Sequence, residues 1–514
     1  MSTPTDLPAH VDVAIVGSGF AGLGMAIRLK LAGRDDFVVL ERADDVGGTW
    51  RDNTYPGCQC DVPSNVYSFS FAPNPRWTRT FAPQREIWEY LRALADRYEL
   101  RPKVRFGAEL LAADWDDDAQ RWTIETARGT LTARVLVGAM GGLSEPSIPA
   151  IPGLDSFEGT TFHSATWKHD HDLAGRRVAV IGTGASAIQF VPAIQPQVEQ
   201  LTVFQRTPPW IMPRRDRRVR PRERGLFGLL PALQQVVRGT VYWGREATVL
   251  PFMQPRLLGK IPDAMARAHL RRSVKDPQLR ARLTPDYAIG CKRILLSNEW
   301  YPALQQPNVE VVSDGIAEIR PNGVVTHDGA VHEADTIIFG TGFHVTDMPF
   351  VERLRGRGGR LLGDLWREQG MSALRGTTIN GFPNLVLMVG PNTGLGHNSI
   401  VFMIESQLRY ALDALARTEQ AGAAVFEPRA DAQQRFNATV QGRMRGTVWT
   451  AGGCASWYLD AHGRNTTLWP GTSWRFRTAT RRFDPAEYTL SPARSAVLRE
   501  HGDRNGVTPG YVSA

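Results

Sequence analysis

One structural unit is written twice in this chain, first around Gly17 and again around Gly182. Val11 to Val16 reads VDVAIV, a short β-branched run that ends at glycine, the pattern of a buried parallel strand. Phe20 to Leu31 then follows helical spacing, and Phe37 to Leu40 reads as a second strand that delivers Glu41 at its end. In the second copy, Arg177 to Ile181 (RVAVI) leads through a glycine turn and helix-spaced residues to a strand at Leu201 to Phe204. Strand, glycine turn, helix and returning parallel strand make the dinucleotide-binding unit. Two copies predict an α/β fold with two Rossmann-like dinucleotide-binding domains. At 514 residues the chain exceeds what one hydrophobic core usually supports, in agreement with that division.

The two turns are built for different nucleotides. The first is GSGFAG, Gly17 to Gly22. Gly17 allows the tight turn, Gly19 lets backbone reach a pyrophosphate, Phe20 and Ala21 open the helix, and Gly22 lets helix and strand approach closely. The helix N-terminus offers N–H groups and partial positive charge to the phosphates. Glu41, about twenty residues on, is placed to accept the hydroxyls of a ribose that carries no 2′-phosphate. The second turn is GTGASA: Gly182, Thr183, Gly184, Ser186 and Ala187, with alanine in the third small position. Its second strand ends in Phe204-Gln205-Arg206-Thr207, so an arginine stands where the acid would be. Arginine pairs with a 2′-phosphate that a carboxylate would repel. The expected ligands are FAD, held non-covalently, at the first turn and NADPH at the second.

Elsewhere, Leu91 to Tyr98 reads as helix, Trp122 to Ile124 and Leu131 to Val137 as strands, and Ala334 to Gly342 (ADTIIFGTG) as a strand running into a glycine turn. RVLVGAMGG, Arg134 to Gly142, ends a strand in small residues around Met140, where a ligand or backbone approaches. Leu385 to Val389 reads as a strand leading into GPNTGLGHNS. Residues 213 to 290 change character to Arg- and Leu-rich helical periodicity, as in Leu226 to Val237 and Ala264 to Arg272, and read as a helical insertion. The expected division is 1–146 and 380–514 for the FAD-binding domain, 147–212 and 291–379 for the NADPH-binding domain, and 213–290 for the insertion. Past Phe483 the chain turns polar and reads as a peripheral tail.

Composition narrows the class. Hydrophobic residues at 42% and charged residues at 22% are ordinary for a globular enzyme. The net charge of +8 is mostly scattered, with one dense run, RRDRRVRPRERG from Arg214 to Gly225, that reads as a solvated loop or as steering for a phosphorylated cofactor. No aromatic and basic interleave points to nucleic acid. No apolar stretch is long enough to span a bilayer, and no secretion signal opens the chain. No His/Asp spacing points to a metal. Cys58, Cys60, Cys291 and Cys454 are expected as reduced thiols of a cytoplasmic protein. Cys58 and Cys60 have the wrong spacing for a redox-active pair and read as structural, which argues against a dithiol reductase.

One segment narrows the chemistry further. FEGTTFHSATW, Phe157 to Trp167, resembles the FxGxxxHxxxW fingerprint of type I (class B flavoprotein) Baeyer–Villiger monooxygenases, with Phe157, Gly159, His163 and Trp167 in register. Related amine- and sulfide-oxidising flavin monooxygenases carry Tyr at the last position. The family pattern continues with Pro or Asp, where this chain has Lys168. GGTWRDNTYPGCQCDVPSNVYSFSF, Gly47 to Phe71, resembles the family's flavin-contacting stretch, and the resemblance implies flavin contacts for Gly48, Thr49, Trp50, Asp61 and Tyr67, with Leu110 and Met140 beside them. GCKRILLS, Gly290 to Ser297, resembles the segment with the catalytic arginine, implying Arg293 for that role and Lys292 for the NADPH phosphate. FQRTPPW supports Arg206 and Thr207 as NADPH contacts, joined by Gln189 on the second helix. CASWYLD places Trp457 at the active-site tryptophan position. RNTTLWPGTSW, Arg464 to Trp474, is similar to the subgroup acting on linear and aryl ketones.

The resemblance implies NADPH-driven conversion of ketones to esters or lactones with dioxygen through a C4a-peroxyflavin. Arg293 would supply a permanent cation and Asp61 would orient it, while His163 serves position rather than proton transfer. Three alternatives remain at this point. They are a heteroatom monooxygenase acting on sulfides or amines, an NADPH oxidase, and a non-catalytic nucleotide sensor.

Overall fold

The computed structural model describes residues 6–460 and 462–494. The repeated unit appears as two parallel sheets of matching topology. In the first, β1 (His10–Val16) leads through the glycine turn to α1 (Phe20–Leu31) and β2 (Phe37–Leu40). The chain then forms α2 (Gln84–Arg97), β3 (Val104–Arg105), β4 (Leu110–Asp116), β5 (Arg121–Thr126) and β6 (Gly129–Gly138). The second unit is β7 (Thr160–His163), β8 (Arg177–Ile181), α3 (Ala187–Ile194) and β9 (Gln200–Phe204). The insertion carries α4 (Pro221–Leu229), α5 (Pro231–Ala247) and α6 (Lys260–Ser273). Then come β10 (Val309–Val312), β11 (Thr336–Phe339), β12 (Leu354–Arg355), β13 (Leu385–Leu387) and α7 (Ile400–Gln420). β14 (Ala423–Pro428), α8 (Ser473–Ala479) and β15 (Tyr488–Pro492) follow.

Five strands of the first sheet run parallel in the order β3-β2-β1-β6-β13, and five of the second in the order β10-β9-β8-β11-β7. The same two backbone hydrogen bonds flank both turns. Gly17 donates its N–H to the Leu40 carbonyl at 2.8 Å, and Gly182 donates to the Phe204 carbonyl at 3.1 Å. Ala139 donates to Val16 at 2.9 Å, and Gly340 to Ile181 at 2.8 Å. The first sheet is extended because β6 is long: its first half pairs antiparallel with β5 and its last residues parallel with β13, and β5 continues to β4 and β12. The central strands are buried on both faces, as continuous runs of Val, Ile and Leu require.

Two expectations need correction. The stretch Leu226 to Val237 is not one helix: Leu230 takes ψ 77° ahead of Pro231, as the residue before proline must leave the helical region, and α4 ends there. The chain past Phe483 is not a peripheral tail as far as it is described. Phe483 and Tyr488 are buried, β15 pairs antiparallel with β14, and the Tyr488 hydroxyl hydrogen-bonds those of Tyr410 and Thr378 at 2.6 and 2.8 Å. The remainder of the expected tail, from 495 on, lies outside the described residues.

Candidate active site

The first turn is a backbone cradle. Gly17 has φ +100°, and a Cβ there would stand 2.7 Å from the Ala139 carbonyl oxygen, beside the Met140 backbone. A Cβ on Gly22 would meet the Gly17 carbonyl oxygen at 1.8 Å. Gly19 caps α1 with no side-chain hydrogen bond, so the N–H groups opening the helix at Phe20 and Ala21 are left for a ligand. Gly48, with φ +52°, comes down onto this turn: a Cβ on it would be 3.0 Å from the Gly19 Cα. The residues present therefore fit a pyrophosphate held by bare backbone.

Glu41 is buried at the end of β2, where the Ser18 N–H donates to one carboxylate oxygen at 3.0 Å and the Ala43 N–H to the other at 3.0 Å. Arg51 pairs with it at 2.9 Å. Ser18 and Arg51 escaped the sequence reading, because only the fold brings them to the carboxylate. Beyond Thr49, the Trp50 indole N–H donates to the Tyr67 hydroxyl at 3.1 Å, and the Tyr67 ring meets Phe20 edge-on at 5.3 Å. Leu110 is buried at the start of β4, within the core of the first sheet.

The second turn differs at its ends. Gly182 has φ +107°, and its Cβ would meet the Gly340 carbonyl oxygen at 2.6 Å. Thr183 donates to the Thr207 carbonyl at 3.4 Å. Gly184 and Ser186 precede the helix, which opens only at Ala187. Arg206 is exposed past β9, and Lys292 stands near it over the Tyr287 ring at 5.0 Å. Burial, and then the Arg206 charge, push the Lys292 ammonium below its ordinary value. Neither cation has a carboxylate in ion-pair contact among the described residues. A phosphate dianion would relieve both.

Gln189, expected at the nucleotide, is engaged elsewhere. Its amide oxygen accepts from the Tyr55 hydroxyl at 3.1 Å and the Gln59 N–H at 3.2 Å, and its nitrogen donates to the Gln59 carbonyl at 3.0 Å. It ties α3 to the segment leading to Asp61.

Asp61 and Arg293 are 232 residues apart and meet in a bidentate pair. Arg293 donates through Nε at 2.9 Å and through Nη2 at 2.7 Å to each carboxylate oxygen. Burial pushes the Asp61 carboxyl up, and the Arg293 charge and hydrogen bonds outweigh it, leaving the group below the usual carboxylate range. The Asp61 charge raises Arg293 in turn. The side chains are 36% and 24% exposed, so a ligand can reach them. Trp457 is 43% exposed and packs on Tyr458 at 4.3 Å. Tyr458 is the buried neighbour, pushed up to about 12 by burial, and it senses the charges of Arg293 and Asp61.

Cys291 and Cys454 are joined in a disulfide across 163 residues, with Cα atoms 6.2 Å apart. This corrects the expectation of four reduced thiols: the bond ties the Arg293 segment to the loop carrying Trp457, and no sequence spacing announces it. Cys58 and Cys60 are free and unbonded to each other. Burial pushes the Cys58 thiol up to about 12 and Cys60 well up, so neither is a thiolate nucleophile.

The fingerprint residues lie along the second sheet. A Cβ on Gly159 would strike the Asp335 carbonyl at 2.4 Å and the Phe157 ring at 2.6 Å. His163 ends β7, buried, with Nδ1 accepting from the Ala165 N–H at 3.1 Å and Nε2 without a partner. Trp167 packs between Phe162 and Phe190 of α3, at 5.1 and 5.3 Å. Lys168 is exposed. The Arg214 to Gly225 run is docked rather than loose at its start: Asp216 pairs with Arg79 and accepts from Thr80 and the Phe81 N–H.

Residues 14–227 match a family model described as pyridine nucleotide-disulphide oxidoreductase. Two relatives, from Streptomyces coelicolor and Pseudomonas aeruginosa, each named Baeyer–Villiger monooxygenase, are 57% and 50% identical. The alignments cover 95% and 97% of this chain and 94% and 95% of theirs. The chain belongs to the Baeyer–Villiger monooxygenase family. The fold agrees: cyclohexanone monooxygenase from Rhodococcus sp. bound to NADP+ matches with a TM-score of 0.84 at 29% identity, over 95% of this chain and 100% of that one. A steroid monooxygenase bound to NADP matches with a TM-score of 0.82 at 32% identity, over 94% and 99%. Among the described residues no helix is long and apolar enough to cross a membrane.

Proposed function

We propose that this Baeyer–Villiger monooxygenase converts ketones to esters or lactones with dioxygen, using FAD at the first turn and NADPH at the second. The bidentate Arg293–Asp61 pair carries this reading. In it the chain divides as FAD-binding residues 1–146 and 380–514, NADPH-binding residues 147–212 and 291–379, and an insertion over 213–290. Bound FAD, reduced by NADPH, supplies the oxygenating chemistry.

The chain's own residues bind, orient and shield. Gly17 to Gly22 hold the FAD diphosphate, and Glu41 takes the ribose hydroxyls. Gly48, Thr49, Trp50, Tyr67 and Met140 border the ring system. Gly182 to Ala187 hold the NADPH diphosphate, with Arg206, Thr207 and Lys292 at its 2′-phosphate. Arg293 stays charged throughout and stabilises negative charge on the oxygens of the reacting centre. Asp61 fixes the plane of its guanidinium and offsets part of its charge. Trp457 borders the centre from the solvent side, where it limits water.

The test incubates the purified yellow protein with NADPH and linear, cyclic and aryl ketones and looks for products one oxygen heavier. Arg293→Met is expected to keep NADPH oxidation while ester formation falls about 100-fold or more. No heavier product from any ketone, alongside efficient sulfide oxidation, overturns the reading.

A further inference from the structure

The inward face of α5 is polar. Gln234, Arg238, Tyr242, Arg245 and Glu246 are spaced to share one side of a helix, while Val236 and Trp243 on the other side are 65% and 55% exposed. Four of the five inward groups are engaged. Gln234 donates to the Asn74 carbonyl at 2.7 Å, and Arg238 to the Asn65 carbonyl at 2.8 Å. The Tyr242 hydroxyl meets that of Ser473 at 3.0 Å. Buried Glu246 receives Ser473 Oγ and Asn398 Nδ2, each at 2.6 Å, and His397 Nε2 at 3.2 Å. These bonds fix the helix on the flavin-side segment and on the turn ahead of α7.

Arg245 is the exception. Its Nε is buried without a hydrogen-bond partner, and no carboxylate among the described residues forms an ion pair with it. Burial lowers the guanidinium's pKa, Asp61 holds it up and Arg293 pushes it down, so all three charges share one site. Asp61 is already neutralised by Arg293, which leaves the charge of Arg245 uncompensated. The side chain is half-buried and its inner nitrogen has no partner, and an anionic ligand oxygen is a partner that would satisfy it. One turn further along, Val249 enters an apolar cluster with Trp210, Phe252, Ile289 and Trp449, a wall suited to a hydrocarbon body.

We propose that Arg245 is a second anion-binding residue of this site, beside Arg293, taking an oxyanion that comes either from the carboxylate of a ketone substrate or from the oxygen that becomes negative at the reacting centre. The proposal rests on the Baeyer–Villiger reading and deepens it. The test compares the FAD-loaded full chain with its Arg245→Met and Arg245→Lys variants. The substrates are methyl octyl ketone and its ω-carboxylate analogue, and decanoate serves as an unreactive probe in equilibrium titration.

If the anion is the substrate's carboxylate, Arg245→Met raises the decanoate Kd and the oxo acid's KM about 10- to 100-fold. The neutral ketone then stays within about twofold, and Arg245→Lys recovers part of the loss. If the anion is at the reacting centre, kcat falls about 10- to 100-fold for both ketones, with decanoate binding unmoved. Unchanged decanoate binding and unchanged turnover of both ketones in a folded, flavin-loaded Arg245→Met protein, or in Arg245→Gln where the Met variant does not fold, overturn the proposal. Decanoate binding is read without turnover, so a failure of the ketone assay in the parent protein falls on the Baeyer–Villiger reading alone.

Discussion

The two nucleotide units share strand order, turn conformation and the hydrogen bonds that close the turn, yet they differ in where the helix starts and in what stands at the end of the second strand. In the first, α1 begins at Phe20, directly after Gly19, and β2 ends at buried Glu41. In the second, α3 begins only at Ala187, and β9 leads to exposed Arg206. Position 22 has no room for a side chain, because a Cβ there would meet the Gly17 carbonyl oxygen at 1.8 Å. Ala187, at the equivalent place, is accommodated beside Gly340, which has no side chain: a Cβ there would lie 3.2 Å from the Ala187 methyl. One topology thus serves a closed, acid-capped site and a more open, cationic one.

Gly22→Ala should break this comparison most severely. The added methyl meets a backbone oxygen at 1.8 Å, so the turn itself must move. The expected cost exceeds about 3 kcal/mol, with protein purified colourless. The mirror change, Ala187→Gly, should cost less than about 1 kcal/mol and leave the flavin content intact. Thermal denaturation and the flavin absorbance of the two variants decide it; equal behaviour would mean the two turns do not differ as described.

The next largest effect sharpens the contrast at the strand ends. Arg206→Ala should raise the KM for NADPH about 10- to 100-fold, the range of a lost charge-assisted hydrogen bond, and leave the KM for NADH nearly unchanged. Lys292→Ala should act in the same direction. Steady-state kinetics with both coenzymes checks this, and an equal loss for NADH would remove the 2′-phosphate from that corner.

What sequence reading recovers here follows from how local each determinant is. The helix Phe20–Leu31 and the strand Phe37–Leu40 have the bounds that periodicity predicts, because buried parallel strands and glycine turns write themselves into adjacent residues. The break at Leu230, the buried Tyr488 and the Cys291–Cys454 bond are decided by partners far along the chain, and no short window holds them. The site divides the same way. Arg293 and Asp61 stand out through motifs, whereas Arg51, Tyr458 and the Glu246 cluster become visible only once Glu41, the ion pair and α5 are in place. Gln189 lies in a nucleotide-type helix yet is engaged with Gln59, a contact that depends on how the two units pack.

The smallest expected effect concerns the strand beside each turn. β13 lies against β6 with Leu387 opposite Gly138, and β7 lies against β11 with His163 opposite Phe339. Leu387 and His163 therefore occupy equivalent places, both buried, one apolar and one titratable. Burial lowers the His163 imidazole to about 4, against the weaker opposing influence of the Gly342 carbonyl. Unfolding exposes it to water, where it protonates near its ordinary value of about 6.5. The unfolded chain thus binds the proton first, and stability present above pH 6.5 is lost as the pH falls toward about 4. Replacing His163 with leucine, the residue its counterpart carries, should flatten that part of the profile. Melting temperatures across this range, compared between the parent and His163→Leu, are expected to converge toward acid, with the parent falling more steeply. Parallel profiles would mean that another group carries the acid sensitivity and that the two strands differ in sequence without differing in titration.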